Sequence, residues 1–449
     1  MANTARVGRV ANTAWLLRRG EHRLGMTGED AGVAGPAGMR DLSARAAARK
    51  SCGVNGTSTS ARVGADAGLG EEPMRVAGID VWVVNVPLTT TFASSFEAKS
   101  ATTRTVIRVR TDDGRAGWGE TMHGRPTATL VRKLAEDFVG VDPRASAEVR
   151  RRCAMVPFFY GYLGYCALAG LEMAFLDLTC RAADVPLHLH LGGAARGVVP
   201  ITALVTPAAV GDVAPAELPK ALATKAAEIV AAQGFTALKL KGSADARHDV
   251  SLLRALREKL PDLALRVDPN AAWSVTASIW AGHESDALGL EYLEDPCAGL
   301  EGMARVRAEI RTPLCTNMCV VTLDDLAPAV RMGAVDIVHA DVHKWGGVGP
   351  TMDLVGICRA FGLGLNFHSG GELGISTACH LHVAAALDRL DHAIDAMYYL
   401  TADDILTERI AMRDGALVVP QGPGLGVEVD LDRLAHYARR NEDEGDHTQ

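Results

Sequence analysis

The sequence predicts a parallel barrel of the (β/α)8 type, about 250 residues in size, behind a smaller α+β domain. Three observations predict it. Eight short apolar segments, near residues 200–205, 236–241, 263–268, 289–294, 313–317, 335–340, 363–368 and 390–396, alternate with helix-patterned stretches. Strands buried on both faces read as continuous apolar runs of this kind. Five of the segments end in polar residues, as in Leu238-Lys239-Leu240-Lys241, Leu265-Arg266-Val267-Asp268-Pro269-Asn270, Tyr292-Leu293-Glu294-Asp295-Pro296, Pro313-Leu314-Cys315-Thr316-Asn317 and Leu365-Asn366-Phe367-His368-Ser369. A barrel delivers reactive groups to one mouth in this way. Finally, 449 residues exceed what one ordinary core holds, so two domains are expected. An open doubly wound sheet would alternate too, but a count of eight favours closure.

The elements follow in order. Residues 1–73 are rich in Ala, Gly, Arg, Ser and Thr and contain the near-repeats Ala2-Asn3-Thr4-Ala5 and Ala11-Asn12-Thr13-Ala14. They read as a disordered extension, with Met74 opening the folded protein. The apolar patch Trp15-Leu16-Leu17 is too short for a signal sequence. The α+β domain is expected over 74–160. Residues 75–83 and 105–110 alternate as half-buried strands, and Asp113-Gly114 is a preferred hairpin pair leading into Ala116-Gly117-Trp118-Gly119-Glu120. The polar stretch 89–100 reads as a long loop, and helical spacing covers 127–139 and 145–153. Residues 162–178 are apolar nearly all round and predict a buried helix. The barrel is expected over 161–397 and a segment returning to the first domain over 398–440. That segment has a turn at Pro423-Gly424, a strand over 425–429 and a helix from Asp432, and a frayed tail follows at 441–449.

Composition narrows the function classes. The chain is 48% hydrophobic and 22% charged with a formal charge of −8, which gives no basic footprint for nucleic acid. No apolar run reaches the roughly 18 residues that a membrane span needs. Nine cysteines lack CxxC spacing and several sit in apolar runs, which suits a reduced, cytoplasmic protein. Cys315 and Cys319 read as packing residues rather than metal ligands.

Asp268, Glu294 and Asn317 close three successive strands with oxygen donors alone, the set a hard cation such as Mg²⁺ prefers. Each alone reads as a loop-end polar residue; three in succession read as a metal site. Lys239 and Lys241 lie two apart and so share a strand face. An ammonium beside another cation favours its neutral form, which makes Lys241 a candidate base for a proton next to a carboxylate. Mg²⁺ on that carboxylate would stabilise the resulting enediolate. His368 ends the seventh strand and Asp341 the sixth, a pairing that fixes an imidazole for proton transfer.

With these residues in place, the chain resembles the enolase superfamily, in its mandelate racemase/muconate lactonizing enzyme family, and most of all the glucarate dehydratase group. The resemblance runs from Met74 to about residue 440. It is carried by Lys239-Leu240-Lys241, Val267-Asp268-Pro269-Asn270-Ala271-Ala272-Trp273, Glu294-Asp295-Pro296-Cys297, Thr316-Asn317-Met318, Ala340-Asp341-Val342-His343 and His368-Ser369. Asn317 is the discriminating residue, since related racemases usually carry Glu there and cycloisomerases Asp. The resemblance implies a modified barrel of (β/α)7β form under an α+β capping domain. It implies Lys241 and His368 as acid/base residues with Asp341 as partner, and Mg²⁺ on Asp268, Glu294 and Asn317. Lys239, Asn270 and Ser369 would contact substrate. The implied reaction is loss of water from an acid sugar to give a 2-keto-3-deoxy acid, by a homo-oligomer that needs no macromolecular partner.

The chain departs from the group at Gly370, where glucarate dehydratases continue His-Ser with Asn, and at Met397, where they carry a substrate-binding His. Their C-terminal extension and their His-Ala-Pro loop motif are also missing. Glu372 and Tyr160 are candidates to replace lost contacts. Two other readings stand beside the dehydratase. One is a racemase or epimerase of a hydroxy acid using the same residues, and the other is an inactive barrel that binds a carboxylate ligand.

Overall fold

The computed structural model describes residues 74–447; the extension expected over 1–73 lies outside the described residues. An antiparallel meander opens the chain, β1 (Val76–Ala93), β2 (Ala98–Thr111) and β3 (Ala116–Thr121), with β2 in the middle. The long loop expected over 89–100 is not there. β1 runs through it to pair Phe92 with Lys99 and Ala93 with Ala98, and Ser94 N–H closes the turn onto Glu97 O at 2.9 Å. Polarity suggested a loop, but this stretch is rich in Thr, whose branched side chain suits a strand. A register shift between Pro87 and Phe92 re-aims the hairpin tip.

Helices α1 (Gly124–Ala135), α2 (Ser146–Cys153) and α3 (Val156–Ala182) complete the domain core. α3 is the buried helix expected over 162–178, extended at both ends. Its full length is apolar enough to cross a membrane, which the sequence reading missed, yet 67% of its most apolar stretch is buried inside the protein. α3 packs directly on β3: a Cβ on Gly119 would stand 2.1 Å from Gly170 O, so only glycine allows the approach.

Glu172 of α3 is half-buried and faces the start of a later helix, accepting from Gly349 N–H at 3.3 Å. Burial pushes its pKa from 4.5 up to about 7, against the pull of Gly349 N–H and Arg150. The folded protein therefore holds a proton on Glu172 that the unfolded chain has released. This group's contribution to stability is greatest below pH 4.5 and is lost as pH rises towards 7. Glu172→Gln should leave the melting temperature unchanged at pH 4.5 and raise it at pH 8, by about 1–3 kcal/mol in stability. A pair of thermal melts tests this, and a variant less stable at pH 8 would show that the ionised form is wanted.

After α4 (Leu187–His190) the barrel begins. Its units are β4 (Val198–Val205) with α5 (Leu218–Gln233), β5 (Ala237–Lys241) with α6 (Ala246–Lys259), and β6 (Ala264–Asp268) with α7 (Val275–Leu288). Next come β7 (Tyr292–Glu294) with α8 (Leu300–Glu309), β8 (Leu314–Thr316) with α9 (Leu323–Met332), β9 (Ile337–Ala340) with α10 (Val348–Phe361), and β10 (Gly364–Phe367) with α11 (Gly374–Ala386). β11 (Ile394–Asp395) follows without a helix and pairs in parallel with β4. Seven βα units and a closing strand make the (β/α)7β form. Outward residues such as Leu238, Leu240, Val267, Leu293 and Val338 fill the layer beneath the helices.

Inside, the barrel is polar. Arg266 donates to Glu291 at 2.6 Å, Thr202 Oγ1 at 2.6 Å and Ala393 O at 2.8 Å, while Asn366 donates to Tyr292 Oη at 3.0 Å. Each of these side chains has at least one partner, although Arg266 Nη2 and Asn366 Oδ1 have none among the described residues.

Beyond the barrel the sequence reading needs two corrections. The strand expected over 425–429 does not form, since Gly424 and Gly426 take φ of 70° and 65°. A hairpin of β12 (Met412–Arg413) and β13 (Ala416–Val418) instead adds antiparallel to the start of β4. The final helix α12 (Leu431–Glu444) is capped by Asp430, which accepts from Asp432 N–H at 2.9 Å. The tail expected to fray from 441 is docked: Asn441 is buried against Asn85 of β1, and Arg125 N–H reaches Asp446 at 2.8 Å. All eight cysteines among the described residues are free.

Candidate active site

The loops after β6 and β7 take backbone shapes that bulky residues avoid. Asn270, Ala271 and Asp295 have φ of 53°, 61° and 36°. The loops lock together through Ala271 N–H to Asp295 O at 2.7 Å and Trp273 N–H to Pro296 O at 3.1 Å. This sets Asp268 beside Glu294. Asp295 then carries the next strand end, accepting from Thr316 Oγ1–H at 2.6 Å and Asn317 N–H at 2.7 Å. Burial pushes Asp295 up to about 7, with the Glu294 charge adding to it. Asn317 in turn donates its amide to Glu294.

Asp268, Glu294 and Asn317 thus sit on adjacent strand ends, two of them hydrogen-bonded to each other. Each carboxylate faces a cation, Lys241 at 2.5 Å from Asp268 and Lys239 at 2.5 Å from Glu294. Burial works against the charge on Glu294, but His339 and Lys239 hold it well below the usual carboxylate range. Two carboxylates and an amide oxygen make an oxygen-only donor set of the kind a hard divalent cation takes, and such an ion would displace the ammonium groups that now neutralise them. Two other acid–histidine clusters occur among the described residues, Glu294–His339–Asp395 and Asp341–His343–His380. Protein cations stand beside these as they do beside Asp268 and Glu294: Lys239 bridges Glu294 and Asp395, and Arg104 Nη2 lies 2.9 Å from His343 Nε2.

Lys239 departs from the expectation of a substrate contact. It is buried in the barrel interior, ion-paired with Glu294 and Asp395, and lines no part of the cavity. Burial disfavours its charge, yet Asp395 and Glu294 raise its pKa well above the ordinary lysine value. Its charge is therefore neutralised by carboxylates one layer below the mouth. Asn270 does reach the cavity, with its amide bonded to Asp268 at 3.0 Å and its Oδ1 free of partners. Ser369 also lines it, donating to Glu372 and accepting from Met397 N–H at 3.0 Å.

His368 lines the same cavity as Lys241. Its Nδ1 lies 2.8 Å from Asp341 Oδ2. Burial and Lys344 lower the imidazole pKa, against the pull of Asp341. Burial opposes the charge on Asp341 as well, but the His368 hydrogen bond and nearby cations hold it far below the usual carboxylate range. An ionised aspartate at Nδ1 places the ring proton there and leaves the Nε2 lone pair for substrate.

The first domain closes the mouth. Leu88 and Phe92 of β1 pack on Leu204 and Met397, so the position at Met397 is an apolar wall. The cavity at the mouth measures about 260 Å³. Lys99, Arg104, Met122, His123 and Tyr162 also face it, and from the barrel so do Lys344, Gly370 and Asp395. Tyr160 plays no part; it is 39% exposed and hydrogen-bonded to Lys133. Glu372 is buried and holds Ser369 and Gly370 N–H.

The sequence reading missed Arg104, His123, Lys344, His339 and Asp395. Lys344, which donates to Asn317 Oδ1 at 2.8 Å, stands in the same strand-end motif as Asp341 and was open to the reasoning applied there. Arg104 carried only the signal of a charged residue in a run of threonines.

Residues 78–192 match the family described as the mandelate racemase/muconate lactonizing enzyme N-terminal domain, and 221–433 match the enolase C-terminal domain-like family. A Streptomyces coelicolor protein named "Probable glucarate dehydratase" is 36% identical over 368 residues, 76% of this chain and 85% of that one. Other relatives are named as cycloisomerases and racemases. A crystal structure of a Streptomyces coelicolor enolase, put forward as a sugar isomerase, is 55% identical with a TM-score of 0.82, covering 84% of this chain and all of that one. An enolase from Thermobispora bispora, complexed with magnesium and formate, is 33% identical with a TM-score of 0.76, covering 84% of this chain and 95% of that one.

Proposed function

We propose that this chain, which belongs to the mandelate racemase/muconate lactonizing enzyme family of the enolase superfamily, is a Mg²⁺-dependent dehydratase of acid sugars. One observation carries the reading: Lys241 and His368, the latter bonded to Asp341, line one cavity, and Asp268, Glu294 and Asn317 end the strands that lie between theirs, with Asn317 itself in the cavity wall. Asn317 and the relative named as a glucarate dehydratase favour dehydration over racemisation. A divalent cation held by Asp268, Glu294 and Asn317 would supply a Lewis acid for the substrate carboxylate.

The chain's own residues do the rest. His368, neutral in its buried setting, takes the proton next to the carboxylate through Nε2 while Asp341 steadies the charge that develops on the ring. Lys241 faces the other side of that carbon and serves substrates of the opposite configuration. The β-hydroxyl takes a proton from the imidazolium so formed or from the Lys241 ammonium and leaves as water as its C–O bond breaks, and the enol that remains tautomerises to a 2-keto-3-deoxy acid. Phe92, Leu88 and Met397 keep solvent from the mouth.

The test is to incubate the purified protein and Mg²⁺ with mono- and diacid sugars, detecting keto-deoxy acids and following solvent deuterium incorporation by NMR. A keto-deoxy product from any member is the expected result. Deuterium exchange or epimerisation without loss of water would replace the dehydratase with the racemase reading.

A further inference from the structure

Beneath the strand ends lies a group of polar side chains that the acid/base chemistry leaves unused. Tyr292 of β7, His339 of β9 and Asn366 of β10 are all buried in the barrel interior. His339 Nε2 lies 3.2 Å from Tyr292 Oη and 3.3 Å from Asn366 Nδ2, and Asn366 Nδ2 donates to the same Tyr292 oxygen at 3.0 Å. On the other side of the ring, His339 Nδ1 lies 3.2 Å from Glu294 Oε1. Nδ1 still makes no aligned hydrogen bond among the described residues. It is an unpartnered buried nitrogen beside a carboxylate that the cation site needs.

The hydrogens on this group follow from its partners. Tyr292 Oη accepts from Asn366, so its own hydrogen goes to His339 Nε2. An imidazole that accepts at Nε2 carries its hydrogen on Nδ1. The reverse tautomer would aim the Nδ1 lone pair at Glu294, whose carboxylate is ion-paired with Lys239. With its hydrogen on Nδ1, His339 does not ligate a metal in the Glu294–His339–Asp395 cluster; it donates to Glu294. A ring with a single hydrogen can orient that carboxylate without competing with a metal for its charge, as an ammonium would.

We propose that Tyr292 and His339 are positioning residues for the cation site: the phenol fixes the imidazole with Nδ1–H towards Glu294, and that donor steadies Oε1 when a cation takes the carboxylate. This rests on the cation site of Asp268, Glu294 and Asn317 proposed above. Hydrogen bonds to the ligands of a metal set its affinity, and losing one costs about 10- to 100-fold.

The experiment has two parts, both on the full chain stripped of metal with a chelator. In ¹⁵N NMR of histidine-labelled protein, the His339 signals, identified by their loss in His339→Asn, should show Nδ1 protonated and Nε2 bare. Tyr292→Phe should weaken that preference. In calorimetric titration with Mg²⁺, His339→Leu should bind about 10- to 100-fold more weakly than the parent. His339→Asn, whose amide nitrogen stands near the place of Nδ1, should stay within about 3-fold of the parent, and Tyr292→Phe should lose about 3- to 10-fold. A hydrogen on Nε2, or on both nitrogens, would overturn the proposal. So would parental affinity in His339→Leu, or an equal loss in His339→Leu and His339→Asn, which would make His339 a packing residue. If His339→Leu does not fold, Tyr292→Phe decides: weaker Mg²⁺ binding supports the role and unchanged binding overturns it. A parent that binds no Mg²⁺ would remove the cation site and this role together, whereas the other adverse outcomes leave the cation site standing. Neither measurement needs turnover, so both hold whichever reaction the enzyme runs.

Discussion

Replacing His368 by asparagine should lower kcat/KM for dehydration by about 10²- to 10⁴-fold, the usual worth of a positioned acid or base. Lys241→Met should cost as much with a substrate of the opposite configuration at the reacting carbon. The two residues line one cavity from different strands, β5 and β10, so if they flank the reacting carbon each variant should lose solvent deuterium exchange on its own face and keep it on the other. Asp341→Asn gives the sharper result. His368 acts with its ring neutral, so activity falls as pH drops through the imidazole pKa. Burial has already lowered that pKa, and Asp341 pulls it back up. Removing the carboxylate should therefore lower the rate and also shift the acid limb of the kcat/KM profile to still lower pH. A rate loss with an unmoved acid limb would mean that the limb belongs to another group and that His368 is not the base.

Much of this site was legible in the sequence, for a physical reason. A barrel strand ends where its apolar outward residues stop, so the first polar residue beyond it stands at the mouth. Asp268, Glu294, Asn317, Asp341 and His368 all follow that rule and all lie at one end of the barrel. Depth and reach were not legible. Lys239 and Lys241 share a face, but nothing in Lys239-Leu240-Lys241 says that the first sits one layer lower among carboxylates from β7 and β11. Arg104 depends on how β2 docks over the barrel, a tertiary fact with no local pattern. The hairpin of β12 and β13 is too short for periodicity to register, and the threonines near residue 90 form a strand despite their polarity. Reading the eight segments as continuous apolar runs overlooked the polar interior, because Arg266, His339 and Asn366 are buried and each stands between apolar neighbours in its strand.

That interior makes Lys239 the residue whose loss should cost most in stability. Its ammonium is 1% exposed between Glu294 at 0% and Asp395 at 3%. Removing one member of such a group leaves buried charge uncompensated, at about 3–5 kcal/mol. Part of the loss is cushioned, because His339 Nδ1 lies 3.2 Å from Glu294 and Arg266 Nη1 lies 3.9 Å from Asp395. Lys239→Met should lower the melting temperature by several degrees, and adding Asp395→Asn should restore part of the difference by removing one stranded carboxylate. Mg²⁺ should stabilise the single variant more than the parent, since any cation near Glu294 relieves the same excess of negative charge. Thermal melts of the four proteins of this cycle, with Mg²⁺ and with a chelator, measure all three effects. The opposite pattern, an unchanged melting temperature with a raised KM, would return Lys239 to the substrate-binding role that family resemblance suggested. The ammonium would then have to leave Glu294 and Asp395 when substrate enters.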